Sequence, residues 1–84
     1  MTPEAYLLIR MVKKDANSKN KSLAEVRKIV GVKKADLTYG SGDIIIAEVG
    51  YNDSIESSKL AKTIEHIVSL GNVWVHEVYR KEVE

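Results

Sequence analysis

His66 and His76 are the only imidazoles in the chain, and there is no cysteine. The missing cysteines exclude disulfides, thiolate catalysis and cysteine-ligated zinc. His66 falls beside Ile67, and His76 lies two residues from Trp74. Neither sits in a His-Glu-x-x-His spacing, so both read as surface or half-buried side chains, and no metal site is expected. The serines Ser18, Ser22, Ser41, Ser54, Ser57, Ser58 and Ser69 carry no G-x-S-x-G elbow and no Ser-x-x-Lys motif. The chain is therefore expected not to be an enzyme and to need no cofactor. Lys13-Lys14 and Lys19 to Lys21 make one segment basic. Near a helix N-terminus such a segment holds an anion, but more often it is a solvated loop.

The segment with the most chemistry is Tyr39-Gly40-Ser41-Gly42-Asp43. It resembles part of a Gly-rich phosphate loop, yet it joins strand to strand, so the helix dipole of a phosphate site is missing. Two glycines leave backbone amides within reach of a ligand, and Asp43 adds a carboxylate at the start of an apolar strand. Amides for an α-carboxylate and Asp43 for an ammonium suit a zwitterion. A hairpin turn in which Asp43 bonds its own backbone is the plainer account of the same residues.

The elements that position this segment follow from the apolar pattern. Ala5-Tyr6-Leu7-Leu8-Ile9 predicts a strand extending to about Val12. Lys13 to Lys21 reads as a loop. Ser22-Leu23-Ala24-Glu25 fits a capping box, followed by Leu23, Val26, Ile29 and Val30 at helical spacing and by Gly31. Val32 to Tyr39 alternates, with Ala35, Leu37 and Tyr39 on one face. Gly40-Ser41-Gly42 is a turn, and Asp43 to Val49 is the next strand. Asp53 or Ser54 is expected to cap a second helix with a stripe of Leu60, Ala61, Ile64, Ile67 and Val68, stopped by Gly71. Asn72 to about Tyr79 is the last strand. The order is β-α-β-β-α-β, and the halves look alike. Ile29-Val30-Gly31-Val32 is echoed by the segment from Ile67-Val68 to Gly71-Asn72-Val73. The fold class is α+β, a ferredoxin-like sandwich with a four-stranded antiparallel sheet and two helices on one face. Right-handed crossovers place strands one and three in the centre.

At 84 residues the chain is expected to form a single domain over 1–84. A chain of this size buries only about 60–65% of its unfolded surface. Hydrophobic residues make up 44% and charged residues 30%, the balance of a folded domain. A net charge of +1, from 13 basic and 12 acidic residues, argues against strong non-specific nucleic-acid binding. No apolar run approaches a membrane span, and the N-terminus lacks the features of a signal peptide, so a cytoplasmic location is expected. Leu7-Leu8-Ile9 and Ile44-Ile45-Ile46 are apolar on both faces. Two helices cover one face of such a sheet. The other, carrying either Tyr6, Leu8 and Val12 or Ile45, Ala47 and Val49, calls for a cover, and a second copy is the simplest. A homodimer formed sheet to sheet is expected.

At the hairpin the sequence resembles a known family. Four segments fall in the order and spacing of the effector-binding (RAM) domain of the Lrp/AsnC, or feast/famine, transcription regulators. They are Ala5 to Ile9, Val26 to Val32, the Gly-x-x-Asp of Gly40 to Asp43 before an aliphatic strand, and Leu70-Gly71-Asn72-Val73. Two positions depart from the family pattern: Gly42 is often aromatic there, and Leu70-Gly71 replaces a proline-glycine pair. The resemblance implies a ferredoxin-like domain that dimerises through its sheet and assembles further, from tetramers to octamers or more. It also implies an amino-acid effector bound between dimers, with Tyr39, Gly40, Ser41, Gly42 and Asp43 carrying over as the ligand loop. The family's regulators carry an N-terminal helix-turn-helix, and this sequence begins just before the first strand. The expectation is a stand-alone module with no DNA-binding domain and no direct DNA contact. Its influence on transcription or metabolism would be indirect, through sensing or through co-assembly with a full-length Lrp/AsnC regulator.

Two other classes share the element order. The ACT domain is also an amino-acid sensor, but it usually has a glycine after strand one, where this chain has Lys13-Lys14-Asp15. A small dimeric α+β barrel enzyme would use Trp74 and His76, and one indole with one imidazole does not make a constellation.

Overall fold

The computed structural model describes residues 5–38, 40, 42–50 and 57–80, with only the backbone described at 57 and 58. Its elements are β1 (Ala5–Met11), α1 (Ala16–Arg27), β2 (Val32–Leu37), β3 (Ile44–Val49), α2 (Ser57–Val68) and β4 (Val73–Arg80). The sheet is antiparallel throughout, in the order β2-β3-β1-β4. The α+β, ferredoxin-like arrangement expected from the sequence is present, with β1 and β3 central.

Alternation along the central strands decides which face is which. Ala5, Leu7, Ile9 and Met11 of β1 are fully buried, as are Ile45, Ala47 and Val49 of β3. With Leu23 and Val26 of α1 and Leu60 and Ile67 of α2 they form one core. The other face carries Tyr6, Leu8 and Arg10 from β1 and Ile44, Ile46 and Glu48 from β3, paired residue by residue. Of the two sets that sequence allowed for the uncovered face, Ile45, Ala47 and Val49 are therefore core. Both edge strands carry an irregularity. Leu8 opposes Glu77 and Ile9 opposes Val75, which leaves His76 as the extra residue. Val32 and Lys34 oppose consecutive residues of β3, which leaves Lys33. Such bulges twist an edge away from further strand pairing.

The first helix starts earlier than the sequence suggests. Asp15 is its N-cap, with Oδ2 accepting from the Ser18 amide at 3.1 Å. Ser22 lies inside the helix and is buried, so no capping box forms there. The first turns, Ala16 to Lys21, are polar and mimic a loop because they project from the core. The helix also ends at Arg27, so Ile29 only packs against the core from the following turn and Val30 is 81% exposed. In α2 the buried stripe is Leu60, Thr63 and Ile67, with Ile64 half-buried. Ala61 and Val68 face outward, contrary to expectation. The Thr63 hydroxyl donates to the carbonyls of Lys59 (3.1 Å) and Val30 (3.2 Å), tying α2 to the turn after α1. Strand one stops at Met11, leaving Val12 exposed, and strand three starts at Ile44. The expected caps Asp53 and Ser54 lie outside the described residues.

Two polar devices lead to testable expectations. The Ser18 side chain and amide hold the Asp15 carboxylate below its ordinary pKa of 3.8. The cap's contribution is complete above that value and is lost as pH falls through the lowered folded value. The protection of the Ser18 amide, measured as its exchange rate relative to an unstructured amide at the same pH, is expected to fall on acidification and in Asp15→Ala at neutral pH. The second device is Asn72. Its Oδ1 accepts from the Lys13 amide at 2.8 Å, and its Nδ2 donates to Ser22 Oγ at 2.9 Å and to the Lys13 carbonyl at 3.3 Å. It thereby ties the start of β4 to the exit of β1. Asn72→Ala is expected to cost about 1–3 kcal/mol, since it strands the buried Ser22 hydroxyl and frees the Lys13 backbone. On a domain of this size that is a drop of roughly 4–20 °C in Tm by thermal melting.

Candidate functional site

The β2–β3 hairpin turns on Gly40 and Gly42, whose φ values of 97° and 71° belong to the left-handed region. A Cβ on Gly40 would meet open space, while one on Gly42 would come within 3.3 Å of Lys19 Nζ. The hairpin is closed by Thr38, whose amide (3.0 Å) and hydroxyl (3.1 Å) both donate to the Ile44 carbonyl. Asp43 is anchored by its carbonyl, which accepts from the Met11 amide at 2.8 Å. Of the five hairpin residues singled out in the sequence, Gly40, Gly42 and Asp43 come together here. Tyr39 and Ser41 lie outside the described residues.

The Asp43 side chain is only 10% exposed, and its carboxylate meets two cations. Lys14 Nζ lies 3.5 Å from Oδ2, and Arg10 Nε lies 3.9 Å from the same oxygen. Neither partner was foreseen from sequence. The available signal was Arg10 itself, a cation set between Ile9 and Met11 in an otherwise apolar strand. A carboxylate that gives up bulk water needs compensation, and these two cations contribute to it. Arg10 points onto the uncovered face, where its register partners are Ile44 and Trp74. Its Nε is buried without a hydrogen-bond partner. Lys19, which sequence placed in a loop, sits on the first turn of α1 and reaches Gly42. Three elements thus deliver three cationic heads to residues 42 and 43: β1, the loop after it, and α1.

The rest of the uncovered face is amphipathic. Tyr6 is 40% exposed, Ile46 39%, Trp74 44% and Tyr79 54%. Lys34, Asp36, Leu37, Thr38, Ile46 and Glu48 line a shallow hollow of about 340 Å³ at its β2–β3 side. Across the sheet, the Tyr79 hydroxyl donates to the Glu77 carboxylate. That bond and the carboxylate's charge raise the phenol above its ordinary pKa of 10.0. Trp74 belongs to this face, but His76 is the bulge residue of an edge strand and His66 is an exposed residue of α2. Among the described residues no group of three His, Asp or Glu side chains is placed to hold a metal ion. No helix among them is long and apolar enough to cross a membrane. No protein-family model matches the chain, and no curated protein matches it.

Proposed function

We propose that the chain is an amino-acid-sensing and oligomerisation module of the type it resembles, the effector-binding domain of Lrp/AsnC regulators. In this reading it dimerises through the uncovered face of its sheet and binds a small zwitterion at the hairpin. It is not an enzyme, and it acts on transcription or metabolism indirectly, through the effector or through a full-length regulator with which it co-assembles. The observation that carries the reading is the uncovered face itself. Tyr6, Leu8, Ile46, Trp74 and Tyr79 spread aromatic and aliphatic surface across all but the β2 edge of one face, and a second copy buries it.

The hairpin supports the ligand half of the reading. Gly40 keeps backbone approach open, Gly42 leaves room for the Lys19 ammonium, and Asp43 offers a carboxylate to a ligand ammonium in place of Lys14. That exchange releases Lys14 for the ligand's carboxylate. An ACT-like mode draws on one of the same observations, since Lys14 comes from the loop after β1. Binding at that loop instead of at the hairpin would favour it.

Calorimetry against the twenty amino acids tests the proposal. At least one is expected to bind, and Asp43→Asn is expected to weaken it by about 1.5–3 kcal/mol, the scale of a charge-assisted hydrogen bond. Fold and dimer are expected to survive that substitution, because asparagine keeps the shape of Asp43 and leaves Tyr6, Leu8, Ile46, Trp74 and Tyr79 in place. No heat at millimolar ligand, or equal affinity for both proteins, would show that the hairpin is only a turn.

A further inference from the structure

The charge around the hairpin restricts which zwitterion the site prefers. Arg10, Lys14 and Lys19 converge on Gly42 and Asp43, and among the described residues Asp43 is the carboxylate paired with Arg10 and Lys14. Asp15, next to Lys14 in the sequence, is committed to the helix cap through Ser18. A neutral amino acid adds one ammonium and one carboxylate, so it leaves the excess of positive charge as it was. Arg10 Nε is buried and makes no hydrogen bond, although Asp43 Oδ2 is 3.9 Å away. Buried donors of a guanidinium are normally satisfied, and an anionic acceptor satisfies them best.

We infer that the site is built for an effector with a second acidic group, an acidic amino acid or a close analogue, whose extra carboxylate sits among Arg10, Lys14 and Lys19. This rests on the ligand-binding reading above. The ligand ammonium takes Asp43, and the two carboxylates share the three cations and the backbone around Gly42. Lys19 reaches Gly42 because glycine carries no side chain there. A Cβ at that position stands 3.3 Å from the ammonium, so the glycine and the lysine form one feature.

Isosteric pairs separate charge from shape. Binding of L-glutamate against L-glutamine, and of L-aspartate against L-asparagine, is measured by calorimetry at low salt on the intact chain. At least one acid is expected to bind roughly tenfold or more tightly than its amide. That preference is expected to collapse in Arg10→Gln and in Lys19→Gln, whose folding is checked by circular dichroism. Lys19 lies on the outer turn of α1, so its variant keeps the test open if Arg10→Gln misfolds. Amides binding as tightly as the acids, or a preference unchanged in both variants, overturn the inference. If some other amino acid binds and neither acid does, the inference falls and the proposed function stands. If nothing binds at millimolar concentration, both fall.

Discussion

Ile46→Lys is expected to turn a dimer into a folded monomer. Ile46 lies on the uncovered face, paired with Leu8 of β1 and Asp36 of β2. It is already mostly covered by its neighbours, with 39% exposure left. Full burial of such a side chain is worth about 1.5–3 kcal/mol, so the apolar contact still to be gained is about 1 kcal/mol per copy. Losing that contact alone would leave a dimer standing, and Ile46→Ala is expected to do so. The lysine acts through the desolvation of its charge, which weighs more. Enclosing an ammonium in an apolar contact costs several kcal/mol even after relaxation, and a two-fold interface contains it twice. The total is on the order of 5 kcal/mol, more than a thousandfold in the dissociation constant. In the monomer the same lysine faces water with Asp36 opposite, so the sheet holds. Light scattering at tens of micromolar distinguishes the outcomes. A monomeric wild type, or an Ile46→Lys dimer, would remove the basis for the assembly reading.

The order of elements was legible because apolar runs, glycines and polar stretches alternate cleanly. What sequence could not supply was the sidedness of β1 and β3. Leu7-Leu8-Ile9 and Ile44-Ile45-Ile46 are apolar at every position, so a period of two has nothing to lock onto. Only the packed helices choose Leu7, Ile9 and Ile45 for the core. The start of α1 was hidden for the opposite reason. Asp15 caps a helix whose first turns bury no apolar side chain, so composition there looks like a loop. The candidate site was half legible. Gly40, Gly42 and Asp43 declare a turn with a carboxylate. The cations that surround it come from positions 10, 14 and 19, joined to the hairpin only by the β1–β3 register and by the docking of α1. Asn72 escaped in the same way, since its partner Lys13 is 59 residues distant.

One residue along the chain the expected result changes kind. Ile45 is fully buried, opposite Ile9 in β1 and Leu37 in β2, with its side chain in the core beneath the helices. Ile45→Ala removes buried methyl and methylene groups from a site walled by packed strands, which collapse little around the gap. The expected cost is about 2–5 kcal/mol, combining the lost burial of those groups with the cavity left behind. A chain of this length has a total stability of roughly 4–13 kcal/mol, so the substitution takes a large fraction of it. Tm is expected to fall by roughly 8–40 °C. Dimerisation of the molecules that remain folded is unaffected, because Ile45 never reaches the uncovered face. The two neighbours therefore part in two measurements. Ile46→Lys shifts the molar mass and largely spares the melting of the monomer, and Ile45→Ala shifts the melting and spares the molar mass of the folded fraction. Loss of the dimer in Ile45→Ala without loss of stability would mean that the strand presents the opposite face, and the sidedness on which the interface depends would be wrong.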